Sequence, residues 1–283
     1  MPSLKALRKR VATVRSTQQI TKAMKMVAAA KLRRAEEAVV RARPFAERIA
    51  QLVATLASGE AATAHPLLVP RPVSKLHVVL ITGDRGLCGA YNTNLIRRTE
   101  LFLRESGTEA TMTAIGRKGA AYFQRRGASM TERLPGPIAA PPVQTARTLA
   151  GKLMEKVLTG ETDAVYLVYA TFRSIISQVP TVRRLIPVEI PEATTAAPDY
   201  LYEPEARAVL ASLLPRYVTA EIGRALFEGA ASEQGARMAA MDNATRNASD
   251  LINRLTLQMN RARQAAITRD LMEIVGGAEA LKG

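Results

Sequence analysis

The sequence predicts an α/β protein organised as helix, inserted α/β domain, helix, with the two terminal helices meeting as an antiparallel coiled coil. Three observations carry this. Residues 3–43 contain neither Gly nor Pro, and such a stretch is rare outside one long helix. No Pro follows Pro215, and an apolar stripe runs from Met238 to Ala266. Between these ends, short apolar runs alternate with helical patterns, the texture of a mainly parallel sheet. The boundaries read as an N-terminal coiled-coil helix over 1–58, an α/β domain over 59–203 and a C-terminal coiled-coil helix over 204–283.

Steps of three and four residues, the coiled-coil spacing, pass through Leu4, Leu7, Val11, Val14, Gln18, Thr21, Lys25, Ala28, Leu32, Ala35, Val39, Ala42, Ala46, Ile49, Val53 and Leu56. Thirteen of these sixteen are apolar. The exceptions are consecutive (Gln18, Thr21, Lys25), and the nearest apolar residues there are Ile20, Met24 and Val27, so the stripe is expected to rotate around the helix and return. Because the stripe continues beyond Pro44, that residue should kink the helix without ending it.

In the middle region Leu76–Thr82 is an apolar run closed by Gly83, as a buried strand would be. Residues 92–105 read as helix, Thr111–Ile115 as strand, 117–126 as helix, Pro-rich 134–142 as loop and 144–158 as helix. Asp163–Ala170 and Thr181–Val188 read as strands. This order makes the inserted domain Rossmann-like. The last stripe is Met238, Met241, Thr245, Ala248, Ile252, Leu255, Met259, Ala262 and Ala266, with Ala residues that let a partner helix approach closely. A helix over about 205–276 would be about 105 Å long, so it is expected to project from its own domain.

Composition narrows the function. Aromatics are 4% of the chain and Trp is absent; Ala, Leu, Val and Met carry the apolar content, which suits helices packed side by side. The net charge is +15, and residues 1–43 hold twelve basic and two acidic residues, two-thirds of that excess. A cationic helix seeks an anionic partner, whether nucleic acid, a membrane or an acidic protein surface. One cysteine, Cys88, excludes an internal disulfide and reads as a reducing compartment, and with two histidines it cannot build a zinc site. No apolar run is long enough to span a bilayer. The Arg-rich start resembles a transit peptide in composition, but its long apolar stripe argues against cleavage.

The segment Thr82-Gly83-Asp84-Arg85-Gly86-Leu87-Cys88-Gly89 lies where an α/β fold would bind phosphate. Its glycines lack the G-x-G-x-x-G spacing, and no G-x-x-x-x-G-K-[ST] occurs. A tight strand-to-helix turn, with Cys88 filling it, is the expected reading. Glu189, Glu192 and Asp199 form no acid–base pair that spacing justifies. The basic helix lacks the Leu zipper and the aromatics of nucleic-acid readers.

Three blocks resemble the ATP synthase γ-subunit family: Ile20-Thr21-Lys22-Ala23-Met24-Lys25-Met26-Val27-Ala28-Ala29-Ala30-Lys31; Asp84-Arg85-Gly86-Leu87-Cys88-Gly89; and the C-terminal run from Ser232-Glu233-Gln234 through Asn260-Arg261-Ala262-Arg263-Gln264 to Glu273-Ile274-Val275-Gly276-Gly277-Ala278. The resemblance implies a non-catalytic rotor shaft without cofactor or metal. It would transmit torque between a membrane ring of c subunits and the catalytic β subunits, with α, β and ε as further partners and no nucleic acid. It implies β contacts at Met24, Lys25, Arg263, Gln264 and Thr268, a tip held in an apolar sleeve at Ile274, Val275 and Leu281, and a foot on the c ring and ε at Tyr200, Tyr202 and Glu203. It also implies peripheral attachment, through the complex, at the cytoplasmic face of a bacterial inner membrane. The redox cysteine pair of chloroplast-type relatives is missing here.

Overall fold

The computed structural model describes residues 4–56, 65–139, 142–189, 203 and 205–280. Its chain divides into two compact units: residues 28–237, and the residues up to Val27 together with those from Met238 onward. Two helices belong to both units, α1 (Leu4–Leu56) and α5 (Ala206–Ala280). Pro44 and Pro215 lie inside them without ending them.

The larger unit is built on a five-stranded sheet in the order β3-β2-β1-β4-β5, formed by β1 (Lys75–Ile81), β2 (Glu109–Ile115), β3 (Ser129–Leu134), β4 (Ala164–Ser174) and β5 (Ser177–Ile186). The first four run parallel and β5 is antiparallel to β4. The expected mainly parallel sheet is therefore present, with a strand at 129–134 to which the sequence reading assigned no element. β3 is an edge strand with alternating exposure, so it carries no continuous apolar run. β1 is central and buried on both faces from Leu76 to Ile81, which is why that run is apolar but for His77. One face packs α2 (Tyr91–Ser106) and α3 (Arg117–Arg125) through Tyr91, Leu95 and Phe123 against Val78 and Leu80. The other gathers α4 (Pro142–Leu158), the end of α1 and the start of α5, with Leu149, Val53, Leu214 and Val218 against Val79 and Ile81. Glu221 of α5 is buried and accepts ion pairs from Arg183 of β5 and Arg224, both at 3.0 Å. These compensate for taking its charge out of water.

His77 is fully buried on β1, its ring nitrogens bonded to the hydroxyls of Thr111 (2.7 Å) and Thr113 (2.9 Å). Burial, reinforced by Lys156 and opposed by Glu161, lowers its pKa to about 4. A histidine depressed in the folded state contributes stability that is present above its unfolded value near 6.5 and lost as pH falls toward 4. The whole interval is worth on the order of 3 kcal/mol. His77→Gln should therefore flatten the acid limb of the stability profile measured by urea unfolding between pH 7 and 4. Parallel profiles for the two proteins would refute this.

Candidate functional site: the helix pair and the β1–α2 turn

The turn after β1 serves structure in this chain. Thr82, Gly83 and Asp84 supply acceptors to the first amides of α3: Arg117 N–H donates to Asp84 Oδ1 (2.9 Å), Lys118 N–H to the Gly83 carbonyl (3.2 Å) and Gly119 N–H to Thr82 Oγ1 (3.0 Å). Helix amides that lack intrahelical partners are satisfied in this way. Leu87 (φ 62°) and Gly89 (φ 58°) take the left-handed conformation that tightens the turn. Cys88 is buried, and burial raises its thiol pKa, so it has the character of an inert filler. Of the three acids considered earlier, Glu189 pairs with Arg184 at 3.0 Å, while Glu192 and Asp199 lie outside the described residues. Among the described residues no His, Cys, Asp and Glu cluster could hold a metal ion, and no helix is long and apolar enough to cross a membrane.

In the smaller unit the two stripes form the seam of an antiparallel pair. From Leu4 to Lys25 every α1 stripe position is buried or half-buried, and so is every α5 stripe position from Met238 to Ala266. Leu7 and Val11 pack with Leu255, flanked by Val14, Met259 and Ala262. The polar interruptions stay on this seam. Gln18 Nε2 donates to Ser249 Oγ (2.6 Å), the hydroxyls of Thr21 and Thr245 share a hydrogen bond (2.8 Å), and Lys25 Nζ donates to Asp242 Oδ1 (2.6 Å). Arg246 also pairs with Asp242, and the two cations, Lys25 first, hold that carboxyl below its usual range.

The expected rotation of the stripe is thus corrected. Ile20 (57%) and Val27 (55%) are exposed, and Met24 is half-buried beside the seam. Polar groups remain inside because each finds a partner across the seam, which removes the penalty for burying them. The outer face of α1 in this unit is then cationic, with Lys5, Arg8, Lys9, Arg10, Arg15 and Lys22 exposed and no acid from 4 to 27. Ile20, Met26 and Val27 stand uncovered on it.

Beyond the seam, among the described residues, α5 continues alone within this unit. From Arg263 to Gly277 every residue is exposed except half-buried Ala266. Ile267, Leu271, Met272, Ile274 and Val275 are each more than half exposed. Arg263, Gln264 and Thr268 share this exposed end, roughly two to three turns before Ile274 and Val275. Met24 and Lys25 lie elsewhere, at the level of Asp242, about 32 Å of helix from Arg263. The structure therefore separates the five expected β contacts into two patches. Glu203 is exposed; Tyr200, Tyr202 and Leu281 lie outside the described residues. The seam partners Asp242, Thr245 and Ser249 went unpaired in the sequence reading.

A family model described as ATP synthase matches residues 3–281. The chain is 48% identical over 284 residues to the ATP synthase gamma chain of Pelotomaculum thermopropionicum, covering all of both chains. It is 49% identical over 290 residues to that of an Anaeromyxobacter strain, again covering both completely. Among solved structures it resembles a chain of the Tetrahymena thermophila mitochondrial ATP synthase central stalk and c-ring, with a TM-score of 0.63 and 27% identity, over 80% of this chain and 99% of that one. A chain of the Euglena gracilis mitochondrial ATP synthase in rotational state 3 aligns with a TM-score of 0.68 over 98% of this chain and 94% of that one; at 21% identity it speaks for the fold alone.

Proposed function

The chain belongs to the ATP synthase γ-chain family, and on that premise we propose that its helix pair turns inside a ring of α and β subunits and transmits torque between them and a membrane ring of c subunits. It is a non-catalytic rotor subunit: ATP chemistry belongs to β. The observation that carries the reading is the outer surface of the smaller unit. Its polar groups are satisfied within the seam, while exposed apolar residues and unopposed cations face outward, the arrangement expected of a helix pair that meets acidic partner loops. Arg263, Gln264 and Thr268 are available to β there, since among the described residues their side chains form no ion pair or hydrogen bond. Ile274 and Val275, with Leu281, fit an apolar sleeve at the head of the ring. Met24 lies with Lys25 at the second patch. Lys25 already holds Asp242, so it reaches β by sharing that carboxylate or leaving it. The foot on ε and the c ring is assigned to Tyr200, Tyr202 and Glu203. Attachment to the cytoplasmic face of a bacterial inner membrane would be peripheral, through the complex.

Assembly with purified α and β subunits tests this. Amides of residues 263–277 should exchange rapidly in the free chain and slow at least tenfold in the assembled complex. Equal exchange in both states would overturn the placement of this end in the ring. Arg263→Ala should weaken assembly by about tenfold, the scale of one charge-assisted hydrogen bond, while leaving the free chain's fold intact. Unchanged complex yield and unchanged coupled ATP synthesis would remove Arg263 from the interface.

A further inference from the structure

The β1–α2 turn stands where nucleotide-binding α/β folds hold a phosphate, yet its place is taken from within. A Cβ on Gly83 would meet Glu233 Cδ at 2.8 Å and both its carboxylate oxygens at 3.0 Å. Glu233 belongs to α5, and its side chain is 5% exposed. The carboxylate lies in electrostatic reach of Cys88 and of Tyr91, the first residue of α2. Arg237, one turn further along α5 and 11% exposed, donates to Glu233 Oε1 (2.7 Å) and to the Gly86 carbonyl (3.2 Å). Asn92 Oδ1 accepts the Gly83 N–H (2.9 Å). A buried carboxylate, a largely covered guanidinium and a glycine without room for a methyl group thus pack together.

We propose that Glu233 is the built-in anion of this turn: its carboxylate stands in for a phosphate, shuts the turn to small oxyanions and the phosphates of nucleotides, and keys α5 to the sheet. Three features point to this rather than to an ordinary ion pair. The carboxylate fills the space beside Gly83 in which a side chain of the turn would begin. The guanidinium that neutralises it also grips a turn carbonyl. The Gly83 amide is occupied by Asn92, and Arg237, whose guanidinium already holds the carboxylate, is a cation ready for an incoming anion.

Removing the carboxylate while keeping the arginine should therefore turn a closed site into an open one. The full chain carrying Glu233→Ala should melt below wild type. Inorganic phosphate or sulfate should raise its midpoint by about 4 °C at roughly ten times the dissociation constant, and chloride at matched ionic strength should not. Wild type and Glu233→Gln, in which the space stays filled, should not respond. Adding Arg237→Gln to Glu233→Ala should abolish the response. If Glu233→Ala fails to fold in chloride, the refolding yield in phosphate against chloride becomes the readout, with the same expectation. Indifference of Glu233→Ala to phosphate and sulfate, an equal response from wild type, or a response that survives loss of Arg237 would each overturn the proposal.

Discussion

Gly116→Ala is expected to cost the larger unit more than about 4 kcal/mol, a large share of the stability of a typical domain. Gly116 opens α3 at φ 97°, a region that side-chain-bearing residues rarely adopt. An added Cβ would lie 2.1 Å from the Thr82 carbonyl oxygen and 2.6 Å from its carbon. Thr82 cannot retreat easily. Its N–H donates to the Ile115 carbonyl (2.7 Å), its Oγ1 accepts from Gly119 N–H, and it is fully buried at the end of the central strand. Gly116 is itself tied to β3 through its N–H and the Leu134 carbonyl (2.9 Å). Gly107→Ala is the control. Gly107 caps α2 in the left-handed conformation at φ 59°, with nothing within 4 Å of an added methyl group, so it should lose about 1 kcal/mol. Urea unfolding of the two variants distinguishes a conformational penalty from a collision. Equal midpoints would show that the Thr82 contact yields.

The elements legible in the sequence are those whose pattern is local. A stripe on a stretch free of Gly and Pro marks α1, a stripe with no Pro after Pro215 marks α5, and Leu76–Ile81 marks β1 because a strand covered on both faces is apolar at every position but His77. Ser129–Leu134 carries no such mark: an edge strand half in water alternates without being apolar. The seam was half legible. Gln18, Thr21 and Lys25 interrupt one stripe and Thr245 the other, so polar layers were visible on each helix. Their pairing was not, because the register between two helices is written in neither alone, and Asp242 and Ser249 stand one position off the α5 stripe. An apolar residue beside a polar interruption was read as the stripe's new course. Ile20 and Val27 in fact face outward, since a polar seam that is hydrogen-bonded from both sides has no reason to turn away.

The turn at Gly83 teaches the complementary lesson. Its glycine spacing argues against a dinucleotide site, but the side chains that fill the space beside it, Glu233 and Arg237, lie about 150 residues away in the chain. Nothing in the local spacing could show that. The same holds for the two patches assigned to β. Met24 and Arg263 are far apart in sequence, and only the antiparallel pairing, with Lys25 level with Asp242, sets them about 32 Å apart along one helix pair.

Ile20→Glu combined with Val27→Glu should leave the free chain's stability within about 0.5 kcal/mol, since both side chains are more than half exposed. In the assembled complex the same change should lower complex yield or coupled ATP synthesis at least tenfold. The two positions lie seven residues apart, hence on one side of α1, amid exposed Lys and Arg with no acid from 4 to 27. If that side meets acidic loops of β, the substitutions act twice: they remove apolar contact and set like charges against each other as water is displaced. Ile20→Ala with Val27→Ala removes only the contact and should cost several-fold less. The contrast between Glu and Ala therefore reads the sign of the partner's charge as well as its presence. Raising the salt concentration should recover part of the Glu variant's deficit, because screening weakens the repulsion but does not restore the lost contact. A complex with the Glu pair that assembles and synthesises ATP like wild type would show that this side of α1 stays in water, and the reading of the helix pair as the part gripped by β would then rest on residues 263–277 alone.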